Sequence, residues 1–153
     1  MNTPVFLMLA GEPAGDAHGA RLAMALRARW PHCRILGTGG ERMSAAGVEL
    51  LAGLHDLAVM GFVEVLERIP FFWKLERQIV RMLRSERVDL VIPVDYPGLN
   101  FRIAGQARAA GIPVLYYISP QVWAWQPGRA VKLGRLADRI AVILPFEEEI
   151  LQN

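Results

Sequence analysis

Apolar residues fall in short unbroken runs along the chain: PVFLMLA at 4–10, RILGTG at 34–39, VDLVIPV at 88–94, IPVLYYI at 112–118 and RIAVILP at 139–145. The runs lack polar alternation, as expected of strands buried on both faces of a parallel sheet. Between most of them the apolar period lengthens to that of a helix. Leu22, Leu26 and Trp30 recur every four residues in one segment, and Phe72, Leu75, Ile79 and Leu83 make a similar stripe in another. Gly111-Ile112-Pro113 and Gly128 read as helix ends and turns. Strands alternating with helices predict an α/β fold, a doubly wound Rossmann-like parallel sheet. No repeat, low-complexity tract or linker interrupts residues 1–153, so a single domain is expected.

Composition narrows the class. The chain has 153 residues, 53% hydrophobic and 21% charged, with a mean hydropathy of +0.25. That is enough apolar material for a core and argues against disorder. A net charge of +2, spread along the chain, predicts no nucleic-acid partner. Cys33 is the single cysteine, which excludes an internal disulfide and a CxxC metal site and suits a reducing compartment. His18, His32 and His55 are scattered, so no metal ligand set is expected. The apolar run ending at Ala10 is too short for a signal peptide, and nothing approaches the roughly 20 apolar residues of a spanning helix. A cytosolic protein, or at most one lying on a membrane surface, is the expectation.

In sheets of this kind ligands bind beyond the carboxyl ends of the strands. Four segments near such ends stand out. Gly11-Glu12-Pro13-Ala14-Gly15-Asp16 combines glycines, which let a ligand approach the backbone, with the start of a helix. It is no phosphate loop, because no Lys-Ser/Thr pair follows. Arg42 likewise spoils a GxGxxG fingerprint at Gly37 to Arg42. Two carboxylates suit hydroxyl groups better than phosphate, although Asp16 could equally be a helix cap. Asp95-Tyr96-Pro97-Gly98-Leu99-Asn100 follows a buried strand directly. A carboxylate there is partly desolvated, which favours a general base, and a turn aspartate is the plainer alternative. Ser119-Pro120-Gln121-Val122-Trp123-Ala124-Trp125 offers two indoles that could stack on a sugar or an acyl chain, or simply pack over the sheet end.

The fourth segment, Asp56 to Leu66, is apolar and continues through Pro70-Phe71-Phe72-Trp73. At about 100° per residue, Phe72, Leu75, Ile79 and Leu83 share a core-facing side. Trp73 falls off that side, beside Arg77, Arg81 and Arg84. An aromatic bordering a basic face fits a helix lying on anionic lipid, and it also fits an ordinary surface helix with one exposed indole.

GEPAGD, DLAVMGFVEVL, VDYPGLN and YYISPQVWAW, in this order, together with GGERM at 39–43 and KLGRLADRIAVILPFE near the end, closely resemble the lipid A disaccharide synthases. The resemblance runs from about residue 5 to the end of the chain. It implies a GT-B glycosyltransferase of two Rossmann-like domains that works without a cofactor or protein-bound metal. The implied reaction joins UDP-2,3-diacylglucosamine to 2,3-diacylglucosamine 1-phosphate, releasing UDP and forming a β-1′,6 linkage with inversion. Asp95 falls on an aspartate that the family needs, implying a general base for the acceptor 6-hydroxyl. Gly11, Glu12, Gly15 and Asp16 would border the acceptor cleft, lined further by Asn100, Ser119, Gln121 and Trp123. Met60, Phe62, Val63, Leu66, Phe71 and Trp73 would meet acyl chains and an anionic membrane surface, placing the protein on the inner face of the bacterial inner membrane.

The chain departs from the family in length, since members are more than twice as long. Residues 1–153 are therefore expected to be the acceptor-side domain, without the nucleotide-sugar domain, and not to turn over alone. Pro13 and Ala14 also stand where relatives often carry Thr and Ser. Two other functions fit the residues less fully: a non-catalytic nucleotide- or lipid-binding α/β module, and a GT-B enzyme with a soluble acceptor, which would not need Trp73 or the apolar surface at Met60 to Phe72.

Overall fold

The apolar runs fold as parallel strands of one sheet. A computed structural model of the chain describes residues 3–58, 62–118 and 135–141. Its elements are β1 (Val5–Ala10), α1 (Pro13–Arg29), β2 (Arg34–Gly39), α2 (Glu41–Ala45), β3 (Glu49–Gly53), α3 (Leu54–Leu57), α4 (Phe62–Ser85), β4 (Leu90–Val94), α5 (Pro97–Ala109), β5 (Leu115–Tyr117) and β6 (Arg139–Ala141). The strand order is β3-β2-β1-β4-β5-β6, and every pairing is parallel. The chain winds outward from β1 to β3, then returns to β4 on the other side of β1. This is the doubly wound, Rossmann-like α/β fold that the runs predict.

Period two along β1 divides the core. Leu7 and Leu9 join one apolar layer with Leu75, Ile79 and Leu83 of α4 and Ile103, Ala104 and Ala107 of α5. Phe6, Met8 and Ala10 point the other way, to Ala20 and Ala23 of α1 and Met43 of α2. Leu7, Met8 and Leu9 have no exposed surface, and burying each such side chain contributes about 1.5–3 kcal/mol. Helices thus cover both faces of β1 and β4, as the unbroken apolar runs require.

One expectation needs correcting, and one strand has no counterpart among the apolar runs. The Leu22, Leu26 and Trp30 stripe does not form the buried face of α1. Gly15, Asp16, Gly19, Ala20 and Ala23 do, while Leu22 and Leu26 are half-buried and Trp30 is 41% exposed. A Cβ at Gly19 would lie 2.8 Å from Met43 Sδ, so small residues set the approach of this helix. Strand β3 has no apolar run: its sequence is ELLAG, and Glu49 and Leu50 are exposed. An edge strand with one open side carries too little hydrophobic signal to be read alone.

Helix α4 follows its expected face. Leu75, Ile79 and Leu83 are buried, Phe72 packs at the margin of their cluster, and Trp73 is 57% exposed. The helix continues through Pro70. At the other end of the sheet, α5 stops at Ala109 and Gly111 takes φ +76°, a left-handed turn that a glycine accommodates without strain.

Candidate active site

The winding direction reverses between β1 and β4, and a doubly wound sheet opens a crevice at such a point. The segments that leave these two strands are Gly11-Glu12 and Asp95-Tyr96, so two of the segments singled out by sequence flank the switch point.

On the β1 side, Pro13 opens α1, where its fixed φ suits the first helical turn. Glu12 is the N-cap residue, yet its side chain makes no capping hydrogen bond and is exposed. A Cβ at Gly11 would lie 2.5 Å from the Tyr96 ring, so the glycine lets that ring close down on the β1 loop. The Tyr96 hydroxyl donates to the Leu57 carbonyl at 3.2 Å. Burial, aided by the Glu12 carboxylate, raises the Tyr96 phenol above its ordinary pKa.

On the β4 side, Asp95 and Tyr96 have φ of +49° and +50°. Two consecutive non-glycine residues in the left-handed region are costly and persist only where their surroundings impose them. Here the Asp95 N–H faces the carbonyls of Tyr117 and Ile118 at 3.3 and 3.2 Å. Its own carbonyl accepts from the Tyr116 hydroxyl at 2.7 Å and from Asn100 Nδ2 at 2.9 Å. Asn100 is 1% exposed and donates also to the Leu9 carbonyl at 2.9 Å, which ties the end of β1 to the loop after β4. Asp95 itself is half-buried. Burial, then the nearby Asp95 charge, pushes the Tyr116 phenol far above its usual range, so it stays a donor throughout physiological pH.

Asp16 is 5% exposed and accepts backbone N–H bonds from Gly40 (2.8 Å), Met43 (3.0 Å) and Arg42 (3.2 Å). It caps a helix, but that helix is α2 and not its own. Beyond this tie, an open cavity of about 580 Å³ lies at the tips of β2 and β3, with Gly40, Glu41, Leu50 and His55 on its walls.

A family model described as Lipid-A-disaccharide synthetase matches residues 6–153. The chain belongs to the lipid-A-disaccharide synthetase family. It is 45% identical over 152 residues to the lipid-A-disaccharide synthase of Myxococcus xanthus, covering 99% of this chain and 40% of that protein. The Coxiella burnetii synthase of the same name is 42% identical over 153 residues, covering 100% of this chain and 41% of its own length. That of Syntrophus aciditrophicus is 45% identical over the same span, covering 100% and 40%. The chain therefore spans about two fifths of the length of these relatives.

For a lipid-A-disaccharide synthetase family member, the expected site residues divide in a revealing way. The structure brings together Gly11, Glu12, Asp95 and Asn100 around the switch point. Gly15 lies on the buried face of α1, where a Cβ would meet Ala10 Cβ at 3.3 Å, and Asp16 turns toward α2. Asn100 and Asp16, expected to line a cleft, are buried and spend their polar atoms on backbone. Ser119, Gln121 and Trp123 lie outside the described residues, as does Met60; nothing is described of the Phe62 side chain. Ile118, the described residue that precedes Ser119 in sequence, turns its carbonyl to the Asp95 N–H. Val63 (68%), Leu66 (52%) and Trp73 (57%) are exposed on α4, whereas Phe71 is half-buried against Phe72, with ring centroids 5.5 Å apart. Part of the surface expected from Phe71 thus goes to the core margin.

Reading from sequence alone passed over Tyr96 and Tyr116. Tyr116 carried a usable signal: a tyrosine inside an apolar strand must find a partner for its hydroxyl, and strand ends are where such partners lie.

Proposed function

We propose that residues 1–153 form the acceptor side of an enzyme that transfers 2,3-diacylglucosamine from UDP-2,3-diacylglucosamine to 2,3-diacylglucosamine 1-phosphate. The observation that carries this reading is the half-buried Asp95, fixed at the switch point opposite the exposed Glu12, in a chain of this family. Asp95 takes the proton of the acceptor 6-hydroxyl as the oxygen attacks the anomeric carbon and UDP departs from the opposite face. A carboxylate within hydrogen-bond reach of the acceptor hydroxyl can serve as that base. Glu12 accepts hydrogen bonds from sugar hydroxyls, while Gly11 lets the Tyr96 ring close down beside it. Gly15, Asp16 and Asn100 support those loops from beneath, and Ser119, Gln121 and Trp123 complete the wall. The cavity at β2 and β3 gives the acylated sugar room to extend.

The direct experiment is to incubate the whole gene product with both acylated sugars and follow UDP and disaccharide. Formation of the β-1′,6 disaccharide is expected; transfer only to an acceptor without acyl chains would overturn the proposal.

The substrates are lipids, so the same reading places the protein on the cytoplasmic face of the inner membrane. No helix among the described residues is long and apolar enough to cross a membrane. Helix α4 supplies a peripheral contact instead: exposed Val63, Leu66 and Trp73 on an element that also carries exposed Arg77, Arg81 and Arg84. Apolar insertion and attraction to anionic head groups then act together. Flotation with vesicles containing phosphatidylglycerol should recover the chain in the lipid fraction. Trp73→Glu, which removes an apolar anchor and adds a negative charge, should weaken partitioning about tenfold. A wild-type chain that ignores anionic vesicles would end the membrane-contact reading.

A further inference from the structure

From the backbone around Asp95 we infer that Tyr116 is a positioning residue for the proposed transfer: its buried hydroxyl holds the Asp95 peptide in the left-handed conformation from which the catalytic carboxylate projects. The inference rests on the reading of Asp95 as the general base and goes beyond it by naming the group on which that base depends.

Asp95 and Tyr96 both occupy positive φ, where a side chain crowds its own backbone. A relaxed loop would flip this peptide, and a flip would redirect the Asp95 side chain by several ångströms. Hydrogen bonds at both ends of the residue oppose it. The N–H faces the carbonyl of Tyr117, the last residue of β5, and that of Ile118 just beyond it. The carbonyl is held by Tyr116 and Asn100, with the shorter bond, 2.7 Å, from the tyrosine. Asn100 divides its amide between the Asp95 and Leu9 carbonyls and also bonds the Tyr116 hydroxyl, whose single proton goes to the Asp95 carbonyl.

Tyr116 is itself fixed. It has no exposed surface, and its ring meets Phe101 edge-on, with centroids 5.8 Å apart and planes at 87°. Phe101 follows Asn100 directly, so α5 and β5 grip the same carbonyl from two sides. A hydrophobic strand position needs only the ring. The hydroxyl reaches past the end of the strand to the carbonyl of Asp95, whose φ is +49°.

The test separates the ring from the hydroxyl. In the whole gene product, Tyr116→Phe keeps the packing and removes the donor. Misplacing a reacting group by about 1 Å can cost 100-fold, so kcat should fall about 10- to 100-fold while KM for the acceptor stays within about twofold. Replacing Tyr116 with 4-aminophenylalanine restores a donor at the same place and should recover most of kcat. 4-Fluorophenylalanine, which fills the space without donating, should not. These two replacements also cover the case in which Tyr116→Phe folds poorly, because both fill the hydroxyl's volume.

Wild-type kcat in Tyr116→Phe, alongside a dead Asp95→Asn, would overturn the positioning role and leave Asp95 as the base. Equal loss with the amino and fluoro replacements would overturn it too, since the donor would then be irrelevant. Full activity in Asp95→Asn would remove the reading on which the inference stands.

Discussion

Asp95→Asn is expected to lower disaccharide formation by the whole gene product about 10²- to 10⁴-fold, the usual contribution of a general base. The substitution is unusually clean at this position. Asparagine matches aspartate in shape and tolerates positive φ equally well, so φ of +49° adds no new strain. The backbone bonds from Tyr116, Asn100 and the end of β5 involve only main-chain atoms of Asp95 and survive the change. What disappears is a carboxylate able to accept a proton. The loss should therefore fall on kcat, with thermal unfolding close to that of the wild type. Asp95→Ala would confound the result, because alanine fits the left-handed region less well and would loosen the loop. Rates of UDP release at saturating acceptor give the measurement. A decrease of less than about tenfold would show that another group deprotonates the acceptor.

The fold was legible because its strands are buried on both faces. Runs such as VFLMLA and LVIPV carry no polar residue that could turn outward, and that pattern alone implies helices on either side of a parallel sheet. Helix α4 was legible for a related reason: its core-facing side is wide and aliphatic, from Leu75 to Leu83. Helix α1 was misread because its contact is made by absence. Gly15, Gly19, Ala20 and Ala23 bury little area each but bring the helix axis close to the sheet, so the large residues Leu22, Leu26 and Trp30 end up beside the contact. A periodicity argument weights size and therefore looks at the wrong side.

The site was legible as loops and less so as roles. The order of strands decides which strand ends adjoin, and order is a long-range property that short motifs do not encode. Once β1 and β4 are neighbours, Gly11 to Asp16 and Asp95 to Asn100 must face one another across the crevice. The sequence could not tell which polar residues look outward. Asn100 and Glu12 are equally polar as letters, yet one is 1% exposed and binds two carbonyls while the other is open to solvent. Burial of a polar side chain depends on partners supplied by distant segments: Leu9 for Asn100, and Gly40 and Met43 for Asp16.

Asp16 gives the second large effect, on stability. Asp16→Ala should lower the stability of this chain by about 2–4 kcal/mol, because it removes a buried charged acceptor and leaves the N–H groups at the start of α2 without it. For a domain of this size that corresponds to a fall of about 5–15 °C in melting temperature. The Met43 N–H matters most, since that bond is buried and Met43 has no exposed surface. The loss extends beyond α2. Met43 Sδ would lie 2.8 Å from a Cβ at Gly19 and 2.4 Å from one at Gly39, so the residue held by Asp16 sits against both α1 and the end of β2. Releasing it loosens the contact that seats α1 and, with it, the loop at Gly11 and Glu12. Asp16→Asn should cost less, because an amide oxygen still accepts while the amide nitrogen meets donors it cannot pair with. Thermal unfolding of the three proteins, followed by circular dichroism, should rank them wild type, Asn, Ala. The opposite pattern, an Asp16→Ala chain that melts with the wild type but no longer binds 2,3-diacylglucosamine 1-phosphate, would mean that this carboxylate meets the sugar directly and that its bonds to α2 are incidental.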